Sequence, residues 1–239
     1  METLKIEKKN TKMIAHRGLS GLEKENTCLA FVGAGNRSFY GIETDVHLTK
    51  DNVFVICHDF NTGRVSNENL EIKDTTFDEL RKICLYDFNS QELKPYIKIP
   101  TLKEYLLICK KYNKHCVIEV KPEFTLSQIQ KLLDEVNQVN ELKDTTFISF
   151  SLENLKKIRS INSSIPLQYL TSVYTNELPA ICEREKVDID ILYSQLTEEN
   201  MKAFKEHNIA INAWTVNNSV DAQKLIDLGI DFITTNILE

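Results

Sequence analysis

Residues 117–170 read VIEVKPEFTLSQIQKLLDEVNQVNELKDTTFISFSLENLKKIRSINSSIPLQYL, and the fold is decided here. Val117-Ile118-Glu119-Val120 is a short apolar run of strand length. Leu126, Ile129, Leu132, Leu133 and Val136 then recur at helical spacing and share one side of a helix over 125–138. Thr146-Phe147-Ile148-Ser149 is a second strand, Ser151 is placed to cap the next helix, and Ile165 to Leu170 is a third strand. Strand, helix, strand, helix, strand implies parallel strands joined by crossover helices.

The same unit extends both ways. Upstream, Met13-Ile14-Ala15 precedes helical periodicity over 27–38. Gly41 to Leu48 follows as a strand, and Val53 to Cys57 continues it after a turn at Lys50-Asp51-Asn52. Downstream, strands at Ile189–Leu192, Ile209–Thr215 and Ile230–Thr234 alternate with helices near 177–186, 197–206 and 218–227. Thr101-Leu102-Lys103-Glu104, after Pro100, and Thr76-Phe77-Asp78-Glu79 each spell a capping box. An open doubly wound sheet would show the same alternation. Eight strands within 239 residues favour closure into a TIM (β/α)8 barrel, read as a single domain over 1–239. Residues 59–98 are too long for an ordinary loop and are read as a small insertion with a helix near 77–85. The chain stops a few residues past the last strand. The last outer helix is therefore expected to be missing or replaced by the N-terminal segment, leaving a looser barrel seam.

Composition narrows the function classes. The 42% hydrophobic and 27% charged fractions suit a soluble protein with an ordinary core. A net charge of −6 argues against nucleic-acid binding by bulk attraction. An anionic substrate would need local positive charge, from a metal ion or placed Lys and Arg. Six cysteines, with no C-x-x-C pair and mostly in apolar runs, read as buried reduced thiols. The N-terminal METLKIEKKNTK lacks a signal-peptide apolar stretch, and no run approaches the ~18 apolar residues of a spanning helix. The expectation is a cytoplasmic protein without stable membrane insertion.

Barrel chemistry gathers at the C-terminal ends of strands. Four such ends are polar: His16-Arg17-Gly18, Glu43-Thr44-Asp45, His58-Asp59 and Glu119-Val120-Lys121. Glu43 and Asp45 are two apart on a strand and share a face, as do Glu119 and Lys121. Three carboxylates at one mouth repel and resist burial. A divalent cation removes that cost, and an all-oxygen set suits Mg2+, Ca2+ or Mn2+. The alternative is solvated charge at strand ends. His16 and His58 are placed to exchange protons near neutral pH. Arg17 and Lys121 supply the required positive charge, Gly18 permits close backbone approach, and Trp214 ends a late strand where it can pack on a substrate. His47 shares parity with Glu43 and Asp45 but is placed beyond the strand end. His115 and His207 precede strands and are read as surface residues.

Ile14-Ala15-His16-Arg17-Gly18, Glu25-Asn26-Thr27, Glu43-Thr44-Asp45-Val46 and His58-Asp59 together resemble the signature of the glycerophosphodiester phosphodiesterases. Arg64, Ile99-Pro100-Thr101-Leu102, Glu119-Val120-Lys121, Ser149-Phe150-Ser151, Trp214-Thr215-Val216-Asn217 and Gly229-Ile230-Asp231 continue the resemblance in order along nearly the whole chain. It implies a TIM barrel with an insertion after the second strand and metal ligation by Glu43, Asp45 and Glu119. It further implies His16 and His58 as the acid/base pair, Arg17 and Lys121 on phosphate, and Trp214 near the glycerol or leaving group. The implied reaction is hydrolysis of a small-molecule glycerophosphodiester to sn-glycerol 3-phosphate and an alcohol. Lys24, in place of the usual Pro, Asn236, in place of a common Asp, and Asn61-Thr62-Gly63 depart from the pattern. Two other readings stand beside it: a lysophospholipase D-like enzyme, which needs an exposed apolar rim, and a non-catalytic barrel binding a phosphorylated metabolite.

Overall fold

The computed structural model describes residues 2–239. Its strands are β1 (Lys12–Ala15), β2 (Gly41–Leu48), β3 (Phe54–Ile56), β4 (Leu85–Tyr86), β5 (Leu93–Lys94), β6 (His115–Val120), β7 (Thr145–Ser149), β8 (Leu167–Thr171), β9 (Asp188–Leu192), β10 (Ile211–Trp214) and β11 (Phe232–Thr235). Its α-helices are α1 (Cys28–Gly35), α2 (Phe77–Lys82), α3 (Leu102–Lys111), α4 (Leu126–Val139), α5 (Leu152–Ile161), α6 (Leu178–Glu185), α7 (Glu198–Glu206) and α8 (Ser219–Asp227).

Eight strands close a parallel barrel in the order β1, β2, β6, β7, β8, β9, β10, β11 and back to β1. β3 lies outside the ring as the antiparallel return arm of β2, with Val46 opposite Ile56 and Leu48 opposite Phe54. The helices start where the caps predict. Thr76 with Glu79 and Thr101 with Glu104 form reciprocal capping boxes, as does Thr125 with Gln128, and Ser151 caps α5. Each box satisfies amides that a helix start would otherwise leave unpaired.

The main core lies between the strands and the outer helices, and includes Phe31, Tyr105, Leu132, Phe147 and Phe204. A smaller layer fills the barrel interior with Ile14, Val117, Ile148 and Leu170. The insertion between β3 and α3 carries α2, β4 and β5 and has its own apolar cluster, among them Val65, Ile72, Leu80 and Ile97.

Among the described residues no helix follows β11, and the N-terminal segment lies against residues 237–239. Leu4 bridges Leu238, and the Glu239 amide donates to the Leu4 carbonyl at 2.8 Å. The expected loosening of the seam does not occur. β1 and β11 pair through all four residues of each, from Lys12 with Phe232 to Ala15 with Thr235. The Glu239 side chain, 3% exposed, holds the Ser38 amide at 2.6 Å and Lys5 at 2.8 Å, which ties the barrel bottom together. All six cysteines are free, with Cys28 and Cys84 half-buried and the other four buried. Among the described residues, no helix is long and apolar enough to cross a membrane.

Candidate active site

Strand register brings the acidic residues together. β2 is buried along its whole length, and its Asp45 stands beside Glu119 of β6. Glu43, two residues earlier, faces the same way. One carboxylate oxygen from each of Glu43, Asp45 and Glu119 lies within 4.8 Å of the others. The three carboxylates are 2%, 1% and 8% exposed, so they are not solvated strand-end charges.

Their surroundings make the cluster frustrated. Burial, then the Asp45 charge, pushes Glu43 well above the ordinary carboxylate range and Glu119 up to about 8. Burial would raise Asp45 as well, but Arg17, Lys121 and His58 outweigh it and hold Asp45 at about 2. Asn26 Nδ2 donates to Asp45 Oδ2 at 2.7 Å, while Asp45 Oδ1 is buried without any hydrogen-bond donor. Lys121 Nζ stands 3.6 Å from that oxygen and 3.1 Å from Glu119 Oε1. A buried, unpartnered carboxylate oxygen between two further carboxylates is a fitting environment for a hard divalent cation.

The histidines arrive by different routes. His16 follows β1, its amide bonded to the Thr235 carbonyl at 2.9 Å, and its Nδ1 lies 2.7 Å from Asn236 Oδ1. With that oxygen accepting, Nδ1 carries the proton and Nε2 is left as an acceptor. Burial and the adjacent Arg17 push His16 down to about 4. His58 reaches the mouth because the β2–β3 hairpin turns back. The Cys57 amide bonds the Asp45 carbonyl at 3.1 Å, which places the next residue beside the acidic cluster. His58 Nδ1 lies 2.7 Å from Asp59 Oδ1; burial lowers its pKa while Asp45 and Asp59 oppose that.

Arg17 has φ +54, and its amide donates to Glu43 Oε2 at 2.7 Å. Its guanidinium lies 3.0 Å from Glu25 and 3.5 Å from Asp45. The approach that Gly18 permits is to α1: with φ +75, a Cβ there would sit 2.7 Å from the Ala30 carbonyl carbon. His16, Arg17, Glu43, His58, Glu119, Lys121 and Trp214 all line one cavity of about 200 Å3. Asp45 lies behind that wall.

The Glycerophosphoryl diester phosphodiesterase family matches residues 16–239. The chain belongs to this family. The glycerophosphodiester phosphodiesterase of Bacillus subtilis (strain 168) is 28% identical over 93% of this chain and 82% of its own length. A glycerophosphodiester phosphodiesterase structure from Parabacteroides distasonis superposes with a TM-score of 0.78 at 29% identity, covering 96% of this chain and 94% of that one. A phosphodiesterase from Oleispira antarctica, solved with the product sn-glycerol-3-phosphate, shares the fold at a TM-score of 0.87 and 24% identity over 94% and 92% of the two chains.

This family member holds its site with residues that sequence reasoning did not assign to it. Arg64 donates to Asp59 at 2.5 Å and to both Glu25 oxygens at 2.8 and 2.7 Å. Glu25 thus bridges Arg64 and Arg17, and the two arginines hold it down at about 2 against its burial. A continuous chain of polar contacts runs from His58 through Asp59, Arg64, Glu25 and Arg17 to Asp45. Ile148, Phe150, Leu170, Asp190 and Thr234 complete the cavity wall.

Three histidine placements differ from or refine the sequence reading. His47 is inside β2 rather than beyond its end, 2% exposed, with Nε2 3.4 Å from the His58 carbonyl and its ring edge-on to Phe60. β2 runs past the barrel rim to form the hairpin, so that position is covered by the return arm. His115 is half-buried rather than a surface residue; Nε2 lies 2.8 Å from Thr146 Oγ1 and the ring stacks on Tyr40. His207 sits at the C-cap of α7, paired with Glu183 at 2.6 Å.

Proposed function

We propose that this protein hydrolyses glycerophosphodiesters to sn-glycerol 3-phosphate and an alcohol, acting as a single barrel domain over 1–239. The observation that supports this best is the convergence of Glu43, Glu119, two histidines, an arginine and a lysine on one small cavity, with Asp45 completing the carboxylate trio behind its wall. Glu43, Asp45 and Glu119 are read as the ligands of one divalent cation, Mg2+ or Ca2+, with Mn2+ also suited to the oxygen set. When bound, such an ion supplies positive charge against phosphate oxygens.

The chain's own residues do the rest. Arg17 and Lys121 hold the phosphate and offset the charge that grows on it in the transition state. His16, kept neutral by burial and by Arg17, with Nε2 free, takes the proton of the nucleophile. His58, backed by the Asp59 carboxylate, gives a proton to the leaving alcohol. Trp214 packs on the carbon skeleton of the substrate.

A lysophospholipid reading is favoured by one observation. Phe60, Phe150 and Val173, each just beyond a strand end, are 56%, 49% and 58% exposed, and Phe150 also lines the cavity. These make the apolar rim that such a substrate needs.

The test measures release of sn-glycerol 3-phosphate from glycerophosphocholine and glycerophosphoethanolamine, with and without EDTA, and of choline from lysophosphatidylcholine. Turnover with Mg2+ or Ca2+ that EDTA stops and added ion restores is expected. Faster cleavage of the lysolipid would favour the second reading. Tight phosphate-ester binding with no cleavage of any diester would leave a binding barrel and sink both.

A further inference from the structure

One guanidinium reaches both halves of the site without lining the cavity itself. Arg64 lies early in the insertion that follows β3, and its side chain is 46% exposed. All three of its nitrogens are engaged. Nε donates to Asp59 Oδ2 at 2.5 Å, Nη1 to Glu25 Oε2 at 2.8 Å and Nη2 to Glu25 Oε1 at 2.7 Å. A simple ion pair this exposed would add little to stability. A planar fork bonded to two carboxylates at once does something else: it fixes where both of them sit.

Each carboxylate in turn holds a group that the reaction uses. Asp59 gives its other oxygen to His58 Nδ1 at 2.7 Å. With both oxygens taken, this carboxylate cannot rotate without breaking a charge-assisted bond, and the imidazole is left with Nε2 as the atom that can meet a leaving oxygen. Glu25 Oε1 also accepts from Arg17 Nη1 at 3.0 Å. Arg17 Nε is buried with no hydrogen-bond partner, 3.5 Å from Asp45. If Glu25 were free to swing away, the Asp45 charge would draw the Arg17 guanidinium toward the acidic cluster and off the phosphate. Glu25 belongs to the loop between β1 and α1, and Asp59 follows the return arm β3. Arg64 is the side chain that bonds both.

We propose that Arg64 is a positioning residue that sets His58 and Arg17 in one fixed relation, so that the leaving alcohol is protonated while its phosphate is held. This rests on the phosphodiesterase reading above. Arg64 touches neither substrate nor reacting atoms and acts through two arms, Asp59 to the proton donor and Glu25 to the phosphate clamp. A lysine cannot replace it, because a point-like ammonium does not span two carboxylates with one rigid fork.

The test compares two esters on the full chain with Mg2+. Glycerophosphocholine has a strongly basic leaving oxygen that must take a proton as it departs; the p-nitrophenyl ester of sn-glycerol 3-phosphate releases a weakly basic phenolate that needs none. In Arg64→Gln, kcat on glycerophosphocholine should fall ~10-fold or more beyond any fall on the p-nitrophenyl ester. Asp59→Asn should show the same differential, and combining the two substitutions should not widen it. Glu25→Gln should instead weaken calorimetric binding of sn-glycerol 3-phosphate and slow both esters alike. Arg64→Lys should behave as Arg64→Gln does, and it carries the comparison if the glutamine variant does not fold. Equal slowing of the two esters in Arg64→Gln, or full recovery in Arg64→Lys, overturns the proposal. Spectra of 15N-histidine-labelled protein need no turnover: neutral His58 should keep its proton on Nδ1 in the wild type and divide it between both nitrogens in Arg64→Gln. Wild type that cleaves neither ester while the variant shows that tautomer change refutes the hydrolytic reading but not the hold of Arg64 on His58. Turnover with neither the differential nor the tautomer change refutes only the role of Arg64.

Discussion

Binding of a divalent cation to the acidic cluster should release protons, and their number follows from the burial of the ligands. Without an ion, Glu119 is pushed up to about 8 and Glu43 well above its usual range, whereas Asp45 stays near 2. At pH 7 a group titrating at about 8 is roughly nine-tenths protonated. A cation ligates the ionised form, so it must displace that proton, and the upward push on Glu43 acts in the same direction. Roughly one proton or more should therefore leave at pH 7, and affinity should rise roughly 10-fold or more per pH unit below pH 8. The stability consequence has a definite sign. The folded, ion-free protein holds protons on Glu119 and Glu43 that the unfolded chain has already lost above about pH 4.5. Its stability should fall as pH rises from about 4.5 to about 8, and added cation should reverse that fall. Titration calorimetry with Mg2+ or Ca2+ at pH 7, in buffers of different ionisation enthalpy, counts the protons directly. A count near zero, together with an affinity flat from pH 6 to 8, would refute the reasoning and return the cluster to three permanently charged carboxylates.

Three further outcomes are expected. His16→Ala or His58→Ala should each lower kcat by at least ~10² in a glycerol 3-phosphate release assay; near-normal turnover would remove that residue from acid/base work. Asn236→Asp places a carboxylate on His16 Nδ1, which favours the imidazolium and raises His16 from about 4. Because His16 must be neutral to accept a proton, the acidic limb of the kcat/KM profile should move up by ~1–2 pH units, and an unmoved limb would contradict the assignment. Gly18→Ala adds a Cβ against the Ala30 backbone at φ +75 and should cost about 1–3 kcal/mol in urea unfolding; unchanged stability would show that the turn relaxes freely.

Much of the barrel could be read from local signals. Capping boxes at Thr76 and Thr101, and the apolar side of 125–138, act within one helix and formed as their spacing implies. Parity along β2 and β6 was enough to put Glu43, Asp45 and Glu119 on one side of the sheet, and register then brought them together. What stayed hidden depends on closure. His16 finds Asn236 across 220 positions only because β11 lies beside β1, and nothing near residue 16 announces it. His47 reads as lying beyond the strand end because the covering return arm comes from residues further on. Asp190 carried a usable hint, a lone acid flanked by isoleucines in a buried strand. Its place on the cavity wall follows only from the ring order that sets β9 opposite β2.

The return arm also fixes where the chain tolerates change. His58 is aimed by the pairing of Val46 with Ile56 and Leu48 with Phe54, across a turn only a few residues long. Successive strand residues alternate faces, so a one-residue deletion in Lys50-Asp51-Asn52 would offer the mouth Cys57 or Asp59 in place of the imidazole. Beyond Arg64, the segment to Lys98 has its own apolar cluster and makes no such demand. Length variation, grafted loops and new rim contacts belong in that excursion, while the hairpin that precedes it works as a ruler.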